Sequence, residues 1–101
     1  MIGLLLWLGG AVAAPAADLS TVHGMTISCP TWGWEWGTDD MASTLTVLDG
    51  LGVNWVSVHP YARVDKSGHL QWEPIDPANP PVWLTRPIAD AHARGQGVLI
   101  K

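Results

Sequence analysis

The order of the apolar patterns along this chain constrains its fold most. Three short β-prone runs alternate with two stretches of helical spacing. The first run is Gly24 to Cys29, stopped by Pro30. Met41, Leu45, Leu48 and Leu51 then recur at spacings of four, three and three, which places them on one helical face. Thr38 stands at the N-cap of that helix, and Asp39 and Asp40 fall in its first turn, where the helix dipole favours carboxylates. Gly52 suits the left-handed position that ends it. Val53 to His59 is the second β-prone run, stopped by Pro60. Leu84, Ile88, Ala91 and His92 mark a second helix over Trp83 to Arg94, with Gly95 as its terminator. Pro87 is expected either in its first turn or at a kink. Gly97 to Lys101 is the third run. A helix between successive strands implies parallel pairing through right-handed crossovers. The chain therefore reads as α/β, and the β-α-β-α-β order fits an eight-fold barrel or an open doubly wound sheet.

The first βα turn separates these two. A dinucleotide-binding sheet needs a Gly-x-Gly-x-x-Gly turn there for the pyrophosphate. Here residues 31–37 read Thr-Trp-Gly-Trp-Glu-Trp-Gly, with large aromatic faces and no phosphate cradle. The second strand agrees with a barrel wall. Side chains alternate across a strand, so Val56 and Val58 share one face and Ser57 and His59 the other. Apolar residues outward, under helices, and small or polar ones inward suit such a wall. In a barrel the active site lies at the C-terminal ends of the strands. His59 and Tyr61 stand at the end of the second strand and Lys101 at the end of the third. All three are candidates to bind substrate. The connection from Tyr61 to Val82 is long. It is expected to hold a small hairpin around Asp65 to Gly68, then an extended stretch with four prolines between Glu73 and Pro81.

Trp32, Trp34 and Trp36 carry the strongest functional signal. Three indoles in five loop residues cannot all be buried cheaply, and each has an N–H that needs a partner. Exposed aromatic surface of that extent points to binding. Flat rings with a polar edge suit the C–H faces of sugars, which are neutral and hydroxyl-rich. A formal net charge of -4 and a pI near 5.3 exclude a basic nucleic-acid face. At least one of the three indoles is expected in a ligand site, with the others plugging the barrel mouth or capping the first helix. Trp55, inside a strand, reads as packing, and Trp72 and Trp83 as pins for the proline-rich segment. Glu35 and Glu73 are the chain's two glutamates. They lie on different βα connections and are read as solvated loop carboxylates rather than a catalytic pair. The four His are isolated from one another and from the single Cys, so no metal spacing is present and no cofactor is expected. There is no P-loop and no Gly-x-Ser-x-Gly turn.

Residues 1–17 read as an export signal. The apolar run from Ile2 to Val12 is shorter than the roughly 18 residues a membrane span needs. It leads into Ala-rich sequence with Ala-x-Ala-like sites, and no charged side chain occurs before Asp18. A secreted or periplasmic protein without a membrane anchor after cleavage is expected. Cys29, alone in an oxidising compartment, reads as a buried small hydrophobe rather than as a partner for a cysteine elsewhere.

The combination of elements also resembles a known group. The run from Gly52 to Ala62, the stretch from Arg86 to Gly95 and the following Val98 to Lys101 resemble the second strand, second helix and third strand of clan A glycoside hydrolase barrels. The opening Gly24 to Thr26 and the Trp-rich loop fit the same pattern, which is most similar to family 113 endo-β-mannanases and related glycosidase-like proteins. Such proteins commonly end the third strand in Lys-Pro-His, of which Lys101 is present. The resemblance implies that residues 18–101 are the N-terminal βαβαβ portion of a (β/α)8 TIM barrel, which takes roughly 250 residues when complete. It implies action on β-linked, mannan-like polysaccharide by a retaining two-glutamate mechanism. In these families the two glutamates come from strands four and seven, so no catalytic residue is assigned here and this chain alone is expected to be inactive. The substrate-binding candidates are Trp32, Trp34, Trp36, His59, Tyr61 and Lys101. A non-catalytic carbohydrate-binding or cell-surface protein, using the Trp-rich loop as its platform, is the alternative.

Overall fold

The computed structural model describes residues 21–101, so the expected export segment lies outside the described residues. Three parallel strands form a sheet in the order β1 (Gly24–Thr26), β2 (Trp55–Val58), β5 (Gly97–Ile100). Helix α1 (Asp39–Gly50) connects the first pair, and α2 (Val82–Ala93) lies before β5. The register sets Met25 beside Val56 and Val56 beside Val98. Strand-to-strand order thus follows chain order. A separate two-stranded antiparallel ribbon, β3 (Arg63–Val64) with β4 (Leu70–Gln71), occupies the long connection. Its turn is held by Asp65, whose Oδ1 accepts from the Ser67 and His69 backbone N–H groups.

One face of the sheet carries the core. Val56 and Val58 of β2 are buried with Met41, Leu45 and Leu48 of α1, and with Trp83 and Ala91 of α2. Ile27, Cys29 and Val98 pack against that cluster from the strand side. Each fully buried branched side chain contributes about 1.5–3 kcal/mol relative to exposure. By alternation, Thr26, Ser28, Trp55, Ser57 and Leu99 fall on the opposite face. Trp55 lies flat across Gly97: a Cβ there would meet its ring at 2.6 Å. Gln96 bridges the helix and strand layers, donating from Nε2 to the Val53 carbonyl at 3.1 Å and to that of Leu45 at 3.4 Å.

Several local expectations need correcting. Thr38 occupies the N-cap of α1, but its hydroxyl donates to the Glu35 carbonyl at 2.6 Å instead of capping the helix. A 3₁₀ turn at Trp34–Gly37 precedes the helix and leaves that carbonyl within reach. Leu51, assigned to the buried face, is 73% exposed, because it is the C-cap residue and has left the helical spiral. Gly52 follows it with φ of +83°, the left-handed geometry expected there. Of the two places expected for Pro87, the first turn of α2 is excluded. Pro87 is the sixth residue of the helix and is buried, with Trp83 and Ala91 on the same stripe.

Candidate functional site

The loops that follow β1 and β2 meet above the C-terminal ends of those strands. Gly33 allows the first loop to fold back. Its φ is +128°, and a Cβ would stand 2.9 Å from the Trp36 ring and 3.0 Å from that of Trp83. The fold-back drives Trp36 inward. Its ring lies nearly parallel to Tyr61, 6.5 Å between centroids, edge-on to His59 at 6.2 Å, and tilted against Trp83 at 6.3 Å. His59 and Tyr61 meet edge to face at 4.9 Å. His59 is held from the other side by Ser28, whose Oγ is 3.2 Å from Nε2. An aromatic block therefore backs the loop junction.

An open groove of about 420 Å³ lies on this block, walled by Trp32, Tyr61, Trp72, Glu73, Ile75 and Trp83. A second depression of about 230 Å³ adjoins it, with Thr31 and Arg63 on its sides. Trp32, Tyr61 and Ala62 border both. Two polar contacts tie the loops together across the grooves. The Trp34 indole N–H donates to Glu73 Oε2 at 3.1 Å, and the Arg63 guanidinium lies 5.2 Å from the centre of the Trp32 ring.

The sequence-derived candidates separate accordingly. Trp32 and Tyr61 line the groove, half-buried with ring surface facing it. Trp34 is 54% exposed and acts through its bond to Glu73. Trp36, expected as a ligand platform, is 1% exposed and belongs to the core; its role is to support Tyr61. His59 likewise backs Tyr61. Lys101 continues β5, its backbone N–H donating to the Val58 carbonyl at 3.1 Å, and its exposed side chain borders neither groove. Trp72, expected to pin the proline-rich segment, is 61% exposed and forms a groove wall. Trp83 is buried at the start of α2, with its ring tilted against Trp36. Trp72 and Glu73 were expected in other roles, and Arg63 and Ile75 were not singled out by the sequence. The adjacent aromatic and acid at 72 and 73 were the available signal.

The two glutamates face different surroundings. Glu73 is on the main groove, whereas Glu35 borders a separate depression with Cys29 and Trp36. Thr31 Oγ1 donates to Glu35 Oε2 at 2.5 Å, and this bond holds the Glu35 carboxyl below its ordinary range. Partial burial pushes the Cys29 thiol up, and the nearby Glu35 carboxylate acts in the same direction. Among the described residues no group of His, Cys, Asp and Glu is arranged to hold a metal ion. The arrangement can stack flat rings against a neutral ligand and offer it a carboxylate in one hollow and a guanidinium in the adjoining one.

Compared with known proteins, the chain matches no family model, no curated protein and no solved structure.

Proposed function

We propose that this chain supplies the glycan-stacking side of a secreted, carbohydrate-active (β/α)8 barrel, one that hydrolyses β-linked polysaccharide. The observation that carries the reading is the aromatic groove at the C-terminal ends of two adjacent parallel strands. Trp32, Tyr61 and Trp72 present ring surface there, and Glu73 adds a hydrogen-bond acceptor. Aromatic faces combined with few fixed polar groups match the needs of sugar binding, where hydroxyls bond at the edges and C–H faces stack. Two further features support a barrel wall. Strand order equals chain order, and both helices pack into one core while Ser28, Ser57 and His59 take the other face. A retaining reaction would need two carboxyls about 5–5.5 Å apart. Glu35 and Glu73, on separate depressions, are not assigned to that work, and the pair would come from other strands of the barrel.

A non-catalytic glycan-binding role is the second reading. It is favoured by the groove itself, whose aromatic lining comes from the described residues Trp32, Tyr61, Trp72 and Trp83. Calorimetric titration with β-manno-, β-gluco- and xylo-oligosaccharides tests both readings. Saturable binding that falls about tenfold or more in Trp32→Ala is the expected result. Absence of binding to every glycan would overturn both. Release of reducing sugar by a polypeptide extended past residue 101, with the same groove intact, would decide for the hydrolase.

A further inference from the structure

Arg63 differs from the other two arginines of this chain. Arg86 donates to the Gly37 carbonyl at 2.9 Å and pairs with Asp39 and Asp90. Arg94 donates to the Asp90 carbonyl and to Thr46 Oγ1. Both therefore fasten helices together. Arg63 has no carboxylate, carbonyl or hydroxyl acceptor among the described residues, although the chain carries nine acidic side chains. Its contact there is with a ring: the guanidinium stands over Trp32, 5.2 Å from the centroid. A cation over an aromatic face is attracted to it while its N–H edges stay free to donate.

That position is on the ligand side. Arg63 borders the smaller depression, whose other walls, Thr31, Trp32 and Tyr61 among them, contain no carboxylate. The larger groove across Trp32 carries Glu73. The two hollows share an aromatic wall and differ in charge. A guanidinium has a rigid planar fork that matches a carboxylate with two parallel hydrogen bonds, which an ammonium cannot do. Resting on the proposed glycan-binding role, we infer that the depression beside Arg63 is a subsite for an acidic sugar, taking a uronate carboxylate on Arg63 while the sugar ring packs on Trp32 or Tyr61. The ligand class is then a β-linked glycan bearing uronic acid, with its neutral units lying along the larger groove.

The test compares one glycan with and without its carboxylate. A glucuronate-bearing xylo-oligosaccharide and its carboxyl-reduced counterpart are titrated into the chain, and the indole N–H signals of Trp32 and Trp72 are followed by NMR. The acidic form should bind about three- to tenfold more tightly, the range for a partly exposed charge-assisted pair. High salt should shrink the difference. Arg63→Gln should abolish it, and Arg63→Lys should keep part of it. Circular dichroism checks that these exposed-site variants fold. Equal affinities for the two forms, or a difference that survives Arg63→Gln, would overturn the acidic subsite and leave glycan binding standing. If neither form nor a neutral manno-oligosaccharide moves the Trp32 and Trp72 signals, the glycan-binding role fails and the subsite with it.

Discussion

At the end of β1, three side chains set one another's proton affinity. Thr31 donates to Glu35, and that bond keeps the Glu35 carboxyl more acidic than usual. A carboxyl whose folded value is depressed adds stability above its unfolded value, and that stability is lost as pH falls through the folded value. The Thr31–Glu35 contribution is therefore complete at neutral pH and disappears in the acid range below the ordinary glutamate value. Thr31→Val should move the Glu35 titration upward, measured by NMR of its side-chain carboxyl. An unchanged midpoint would show that the hydroxyl is not the cause. Cys29 behaves in the opposite sense: burial first, then the neighbouring carboxylate, raise its thiol value. Because the thiolate is the nucleophile, alkylation by iodoacetamide near pH 8 should be several-fold slower than for the unfolded chain. Equal rates in both states would contradict the burial. The small apolar character of Cys29 was legible from its place in a β-prone run. Its coupling to Glu35 was not, because the turn from Pro30 brings residue 35 back to residue 29.

At the level of elements, two tight points lie around β5, one between neighbouring strands and one between helix and strand. The Trp55 ring occupies the space in which a side chain at 97 would stand. Gly97→Ala should cost about 1–3 kcal/mol, as overpacking does, in a thermal or denaturant unfolding experiment. Gln96 satisfies the Val53 carbonyl just before β2. Gln96→Leu leaves a buried carbonyl without its partner and should cost about 1–3 kcal/mol in the same experiment. A loss below a few tenths of a kcal/mol in either variant would show that the local structure relaxes around it. Helix positions were readable from spacing, since Met41, Leu45 and Leu48 repeat with the turn of the helix. Helix ends were less so. Thr38 had two competing acceptors and donors to serve, and the 3₁₀ turn before α1 took its hydroxyl. Leu51 kept the spacing of its helix in sequence but not its geometry, because the spiral ends at Gly50.

Across the whole molecule, the six tryptophans among the described residues divide by task, and substitutions should expose the division. Trp36 is enclosed by Gly33, Tyr61, His59 and Trp83, so Trp36→Leu should lower stability by about 2–4 kcal/mol, read from its unfolding midpoint. Trp72 is mostly exposed on the groove wall. Trp72→Ala should leave the unfolding midpoint nearly unchanged and weaken oligosaccharide binding by about tenfold, a typical loss for one aromatic face. The reverse pattern would mean that Trp72 holds the connection in place and the groove is incidental.

Sequence alone determined the α/β class, the parallel sense of the sheet and the aromatic character of the first loop. These are local or periodic properties: helical spacing, strand alternation, and proline and glycine at the breaks. Only the tertiary structure decided which indole is support and which is surface. Residues 31–37 and 61–75 meet because β1 and β2 pair in parallel and deliver both loops to the same end. No spacing within either loop encodes that encounter. Gly33 then turns Trp36 under Tyr61, and the long connection brings Arg63, Trp72 and Glu73 around Trp32. The depth of a side chain follows from what arrives on top of it, and here what arrives comes from distant parts of the sequence.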